Sequence, residues 1–417
     1  MLPQDGRVSG TPTPVVFVAP FFADTTLRFL DATTRLPGVA VLLVSQDPAE
    51  RLPRGLGQRL AGHARIDDGL DPGAITDAVR SWVPRAGRPA RVFGALEQLQ
   101  VPLAEVRQAL GIPGMGVEAA RNFRDKSRMK DVLRAAGVPC ARHHLAHSAA
   151  EARAASAEIG FPLVAKPPAG AGARGTFRVD DPAQLADVLR ASPPTVAEPL
   201  LLEEFIVGDE HSFDAVSVAG RVVWHSLTHY EPGPLDVLRN PWIQWTVLLP
   251  REVDHPRYDD IRSVAGRALD ALGMGTGLSH LEWFRRRDGS LAVSEAAARP
   301  PGAQFTTLIS YAHGVDFYAA WARLMVREEF DPPPRRYAAG IAFLRGQGSG
   351  RVVAIHGLRE AAAELGPLAV EVRLPERGQL PASSYEGDGY VVLRHPDTGV
   401  VAHGLRQLVS RVRVELG

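Results

Sequence analysis

Cysteine is all but missing from this chain: Cys140 is the single thiol in 417 residues. One thiol excludes an internal disulfide framework and fits a reducing cytosol, and Cys140 itself reads as a small apolar residue rather than a nucleophile. Long apolar runs are missing too, none approaching the roughly 20 residues that cross a bilayer. Met1 to Pro14 is polar, rich in Pro and Gly, and lacks the charged-then-apolar order of a signal peptide. A cytoplasmic location with no membrane partner is therefore expected. Net charge is absent as well, since Lys+Arg and Asp+Glu both count 47. That balance argues against a protein built to coat nucleic acid or an anionic surface. No Gly-x-Gly-x-x-Gly follows the first strand-like run, which disfavours a dinucleotide cofactor. A nucleophile elbow, a repeat of 20 to 50 residues and metal-ligand spacing around His356 and His395 are also missing.

What is present is ample core material, with 45% hydrophobic residues in a chain too long for one ordinary core. Val15–Ala19 and Val39–Val44 read as buried strands flanking a helix over Thr25–Arg35, with Asp24 as its N-cap. Arg91–Gly94 and Val101–Leu110 extend the strand and helix alternation, so the amino-terminal part is predicted to be an α/β unit on a parallel sheet. Gly and Pro density at Ile112–Gly116 marks a boundary, and Asn122–Pro139 reads as one helix that carries Lys126 near its start. Asp331–Arg335 marks a second boundary, beyond which short β-type runs alternate with Gly-rich turns and predict a small β-rich domain.

The organising stretch is Leu278–Arg299, a β-hairpin folded at Asp288-Gly289. A two-residue loop there sets Arg287 against Ser290 and places Glu282 opposite Glu295. Two carboxylates about 5 Å apart destabilise a sheet unless a cation lies between them. Mg²⁺ commonly takes one or two carboxylates together with substrate phosphates, although a solvated acidic pair is the bland alternative. Arg299 adds a fixed positive charge four residues past Glu295. Upstream, the strand Phe161–Lys166 ends in a lysine and runs into the Gly-rich loop Pro167–Gly175. Small residues such as Gly170, Gly172 and Gly175 let backbone N–H groups cradle phosphate oxygens. This is not a P-loop, because the lysine precedes the glycines. Arg174 either clamps a phosphate or points to solvent. The extended backbone from Glu204 to Ile206 can offer an N–H and a C=O to an adenine edge, and Glu210 can accept from ribose hydroxyls.

Taken in order, these pieces resemble the ATP-grasp superfamily of carboxylate ligases. The resemblance runs through Asp125-Lys126, Lys166 before the glycine loop, Glu203-Glu-Phe-Ile-x-Gly-x-Glu210, Glu282, and Glu295-x-x-x-Arg299-Pro-Pro-Gly302, covering at least residues 115 to 330. Glu-Ala-Ala-Ala-Arg at the end looks most like the L-amino-acid ligase branch. The resemblance implies an α/β protein, α+β overall, with a Rossmann-like pre-ATP-grasp domain over 1–118. It further implies a lid subdomain with the glycine loop over 119–200, a main subdomain with the hairpin over 201–335, and a β-rich domain over 336–417. It implies phosphate contacts from Lys126, Lys166 and the loop, and adenine contacts at Glu203, Glu204, Phe205 and Ile206. A ribose contact at Glu210 and metal ligation by Glu282 and Glu295 complete the set, with Lys166, Arg174 and Arg299 as catalytic residues. The family often has an Asn as third metal ligand where this chain has Ala297, which puts a second metal in doubt.

The implied cofactors are ATP and Mg²⁺, with Mn²⁺ as a substitute. The implied reaction makes an acyl phosphate from a carboxylate and condenses it with an amine, giving a dipeptide or amino-acid amide, ADP and phosphate. Arg299 would stabilise the tetrahedral oxyanion. Substrate contacts are expected from His225, His229, Trp242, His280, Arg299 and Gln304, with ordinary structural roles as the alternative for the histidines and for tryptophan. Small-molecule partners and a homodimer are expected. Two rivals stay open: a carboxylating enzyme resembling biotin carboxylase, and an ATP-binding regulatory protein that turns over weakly.

Overall fold

The computed structural model describes residues 11–170, 175–240, 242–382 and 386–417. The amino-terminal unit is a parallel sheet of β1 (Thr13–Val18), β2 (Val39–Ser45), β3 (Gly62–Arg65) and β4 (Arg91–Phe93), in the order β3-β2-β1-β4. Its central strand is buried on both faces, as a near-continuous apolar run requires. Val15 and Phe17 enter one core cluster, and Val16 and Val18 enter another. The helix Asp24–Thr34 starts one residue earlier than expected, with Ala23 rather than Asp24 at its N-cap.

The expected single helix over Asn122–Pro139 is two helices, Val117–Arg124 and Lys126–Ala135, broken at Asp125. Asp125 leaves helical geometry, and its carboxylate accepts from Ser127 N–H at 2.9 Å and Arg128 N–H at 3.0 Å. This N-cap fixes where the second helix begins and so fixes Lys126. Next comes a small antiparallel sheet of β5 (His143–Ala146), β6 (Leu163–Lys166), β7 (Phe177–Val179) and β8 (Leu200–Glu204), ordered β5-β8-β6-β7.

The main sheet has eight antiparallel strands. Its members are β9 (Gly208–Val218), β10 (Arg221–Glu231), β11 (Trp245–Leu249), β12 (Gly277–Arg286), β13 (Leu291–Ala297) and β14 (Ala338–Leu344), joined by two strands from the end of the chain. After the short β15 (Gly346–Gly348) and β16 (Val352–His356) come those two, β17 (Ala369–Arg373) and β18 (Gly389–His395), and β19 (Arg413–Leu416) closes the series. The order is β13-β12-β9-β10-β11-β14-β18-β17, while β15, β19 and β16 form a separate sheet of three. The carboxy-terminal region, expected as a β-rich domain of its own, thus lends three strands to the sheet that carries the hairpin.

The hairpin register differs from expectation in two places that cancel. Arg286 N–H bonds Ser290 O, and Gly289 N–H returns to Arg286 O, so the turn holds three residues, Arg287 to Gly289, with Gly289 left-handed at φ 84°. That moves the ladder by one residue, giving Phe284↔Ala292 and Trp283↔Val293. A β-bulge at Ser294 then inserts one residue and restores Glu282↔Glu295.

The parallel sheet docks on the helix Phe317–Arg327 through Trp321, which meets Phe17, Phe29 and Phe93 with ring centroids 6.4, 4.6 and 5.7 Å away. This aromatic cluster holds the amino-terminal unit beside the end of the hairpin.

Candidate active site

Strand alternation and register put one row of polar groups on the same face of the main sheet. His280 lies opposite Asp214, and Glu282 lies opposite Ser212 on one side and Glu295 on the other. Beyond that face lies a cavity of about 790 Å³, lined among others by Lys126, Lys166, Glu282, Glu295 and Arg299. A space of that size accommodates a nucleotide with room to spare.

Each hairpin carboxylate has its own cation. Lys126 Nζ sits 2.8 Å from Glu295 Oε1 and also donates to Gly170 O at 3.1 Å. His280 donates from Nδ1 to Asp214 at 2.7 Å and turns Nε2 towards Glu282 at 3.5 Å. Burial alone would lower the His280 pKa, but Asp214, which is fully buried, and Glu282 raise it to about 9, so the ring is an imidazolium at neutral pH. Burial opposes ionisation of Glu282, yet His280, Lys126 and Arg299 outweigh it and hold that carboxyl below its usual range. Glu210, two residues before Ser212, goes the other way: burial and the Glu282 charge push its pKa well up.

A second buried group lies behind the first. Glu203, 4% exposed, has one oxygen 2.7 Å from Lys130 Nζ and the other 2.8 Å from Lys166 Nζ. Burial opposes its charge, but the two ammoniums bring its pKa to about 2. Lys166 is raised despite burial, with Glu203 as the main reason. Glu204 points the other way, to Arg286 at 2.6 Å and Arg142 at 3.3 Å. The Glu204 and Phe205 N–H groups are taken by Arg142 O and Pro162 O. Ile206 N–H has no backbone partner among the described residues, so within the stretch Glu204 to Ile206 it is the last residue that keeps its backbone donor open. Phe205 lines the cavity and carries Arg178 over its ring at 4.4 Å.

Arg299 lines the cavity too, and its Nε donates to Glu97 Oε2 at 2.7 Å. Glu97 is 7% exposed and comes from the amino-terminal unit, 202 residues away in sequence. Nothing in the local sequence around Glu97 marks it.

Several expected substrate contacts do not converge here. His225 pairs with Ala215 across the strands and so points to the opposite face from Asp214, stacked on Phe213 with centroids 5.3 Å apart. His229 borders the cavity, but its Nε2 meets Tyr258 Oη at 3.0 Å and burial lowers its pKa to about 4. Trp242 is 56% exposed and outside the cavity lining, whereas Trp245 is buried, stacked on Phe343, and does line the cavity. Gln304 donates to Glu386 at 3.3 Å and does not line the cavity, while its neighbour Phe305 does. Gly172 and Arg174 lie outside the described residues.

Glu97, Asp214 and Lys130 were not singled out from the sequence. One signal would have found Lys130: the chain has three lysines against 44 arginines, and the three are Lys126, Lys130 and Lys166.

Residues 131–313 match the family model described as the ATP-grasp domain. That stretch has the ATP-grasp fold. An uncharacterized protein of Sinorhizobium fredii is 29% identical over 350 residues, covering 80% of this chain and 66% of that one. Alanine–anticapsin ligase of Bacillus subtilis is 28% identical over 255 residues, covering 54% of this chain and 53% of that one. The chain thus spans between half and two thirds of the length of these curated relatives. The crystal structure of L-amino acid ligase from Bacillus licheniformis shares the fold with a TM-score of 0.75 at 21% identity, covering 98% of this chain and 100% of that one. The matched stretch contains both the hairpin and the small sheet. Among the described residues no helix is long and apolar enough to cross a membrane.

Proposed function

We propose that this protein is an ATP-dependent ligase that activates a carboxylate as an acyl phosphate and condenses it with an amine. The product would be a dipeptide or amino-acid amide, released with ADP and phosphate. The observation that carries this reading is the pairing of Glu282 with Glu295 in a cavity that also holds Lys126, Lys166 and Arg299. The similarity to alanine–anticapsin ligase supports amino acids as the substrate class.

The two carboxylates form a hard oxygen donor set that fits Mg²⁺ when phosphate oxygens and water complete the shell. Among the described residues no group of three or more His, Cys, Asp and Glu could hold a metal, and Ala297, two residues past Glu295, is a buried methyl. A protein-only cage is therefore not what this site provides. Bound there by Glu282 and Glu295, Mg²⁺ would supply charge neutralisation at the phosphoryl oxygens.

The chain's own groups divide the remaining work. Lys126 and Lys166 hold the triphosphate by charge, and Ile206 N–H is the donor for the adenine edge. Glu210 offers its carboxyl oxygens to the ribose hydroxyls. His280, held as an imidazolium by Asp214, keeps Glu282 ionised and oriented. Phosphoryl transfer is then mainly a matter of positioning and electrostatic stabilisation. When the amine attacks the acyl phosphate, Arg299 faces the developing oxyanion with a guanidinium that stays charged. The small sheet carrying Lys166 is the element that closes over the acyl phosphate and excludes water. This reading places the enzyme in the cytoplasm, where its lone thiol stays reduced.

The test is release of ADP and phosphate with single amino acids and pairs of them, followed by mass detection of a product one water lighter than its substrates. Amino-acid-dependent ADP release with that product is expected. ADP release that needs bicarbonate instead would indicate carboxylation, and nucleotide binding without turnover would indicate a regulatory binder; either result ends the ligase reading.

A further inference from the structure

Arginine is this chain's cation almost everywhere, yet all three of its lysines meet at one place. Lys126 and Lys166 line the cavity, each beside a carboxylate. Lys130 does not line it. Its side chain is completely buried behind the wall, one helical turn after Lys126 and on the same face of the helix Lys126–Ala135. From there Nζ reaches two partners on different sheets, Ser294 O of β13 at 2.7 Å and Glu203 Oε1 of β8 at 2.7 Å.

Both partners matter to groups that do face the cavity. Ser294 is the residue that the hairpin bulge leaves without a cross-strand partner, and the same bulge brings Glu295 opposite Glu282. The Ser294 carbonyl is part-buried, where lacking a donor is costly, and an ammonium supplies a charge-assisted one. Glu203 lies between Lys130 and Lys166, so Lys130 takes up part of the Glu203 charge that Lys166 would otherwise meet alone. With Lys130 neutral or absent, Glu203 would cancel Lys166, and an incoming phosphate would meet a neutral pair. At this fully buried position the ammonium acts as a compact point donor.

We propose that Lys130 is a positioning residue, which fixes the bulge that aligns the two hairpin carboxylates and leaves the Lys166 charge free for phosphate. The proposal rests on the reading of the cavity as an ATP site. Lys130 touches no substrate and acts through Ser294 and Glu203.

The test is calorimetric titration of the full chain with a non-hydrolysable ATP analogue across a series of Mg²⁺ concentrations, in wild type, Lys130→Met and Lys130→Gln. Thermal unfolding is followed alongside, and Lys130→Gln, which keeps one donor for Ser294, serves if Lys130→Met does not fold. The expected result is a Kd raised at least about tenfold, together with a higher Mg²⁺ concentration for half-saturation, in variants that still unfold cooperatively. A merely structural lysine would lower the unfolding temperature without moving the Mg²⁺ dependence, and that outcome overturns the proposal. Wild type that binds no analogue at any Mg²⁺ concentration overturns the ATP-site reading and the proposal together. Wild type that binds while both variants match it overturns the Lys130 assignment alone.

Discussion

Glu295 is held by Lys126 at 2.8 Å and His280 is held by Asp214 at 2.7 Å, so single substitutions here change charge as well as contact. Replacing Glu295 with Ala removes half of the carboxylate pair and leaves Lys126 without its anion. Mg²⁺-dependent ADP release should fall by at least about a hundredfold, the scale for losing one group that stabilises transition-state charge; activity close to wild type would remove the metal assignment. His280 gives a pH prediction. Its folded pKa, about 9, lies above the ordinary histidine value of about 6.5. Its contribution, of order 3 kcal/mol, is therefore fully present below about pH 6.5 and is lost as pH rises through about 9. Asp214→Asn should return the ring to about 6.5 or lower, read from the histidine Cε1–H shift in an NMR titration, because burial then acts without its main opposing charge. A midpoint that stays near 9 would mean another group holds the proton.

At the scale of elements, the hairpin shows how a correct pair can come from an incorrect path. Asp-Gly signals a turn, but it does not specify whether two or three residues form the loop. The extra turn residue and the Ser294 bulge each shift the register by one, in opposite directions. Only pairing with β9, which runs unbroken from Gly277↔Ser217 to Arg286↔Gly208, shows which strand carries the irregularity. Gly289 offers a test that leaves the carboxylates in place. It sits at φ 84° with open space where a Cβ would stand, so Gly289→Ala costs only the left-handed conformation, about 1 kcal/mol. Urea unfolding should show that loss as a lower midpoint with an unchanged slope. The same scale explains the misplaced histidines. Over Ser226–Thr228 both faces of β10 are covered, so this part of its sequence lacks the polar and apolar alternation that would have shown His225 and His229 turning away from Ser226 and Thr228.

For the whole molecule, the telling contact is Arg299 with Glu97, because it joins the end of the hairpin to the amino-terminal unit. The Trp321 cluster fixes that unit in place, and Glu97 then aims the guanidinium. Glu97→Gln keeps the shape and removes the charge. Turnover should drop about tenfold, equivalent to roughly 1.4 kcal/mol in the barrier, while nucleotide affinity measured by titration stays the same. If nucleotide affinity falls instead, Arg299 serves the nucleotide rather than the acyl-transfer step. The carboxy-terminal strands β14, β18 and β17 belong to this scale as well, since they complete the sheet beneath the site rather than forming a sheet apart from it.

The amino-acid sequence by itself determined the parts with local causes. These are the buried parallel strands and the existence of the hairpin at Asp288-Gly289, because each follows from short-range pattern and turn chemistry. Tertiary structure alone decided the partners. Glu97 reaches Arg299 across 202 residues, Lys130 meets Ser294 across 164, and Asp214 meets His280 across 66. These pairings depend on which strand lies beside which and on which face each side chain takes, and long-range packing sets both.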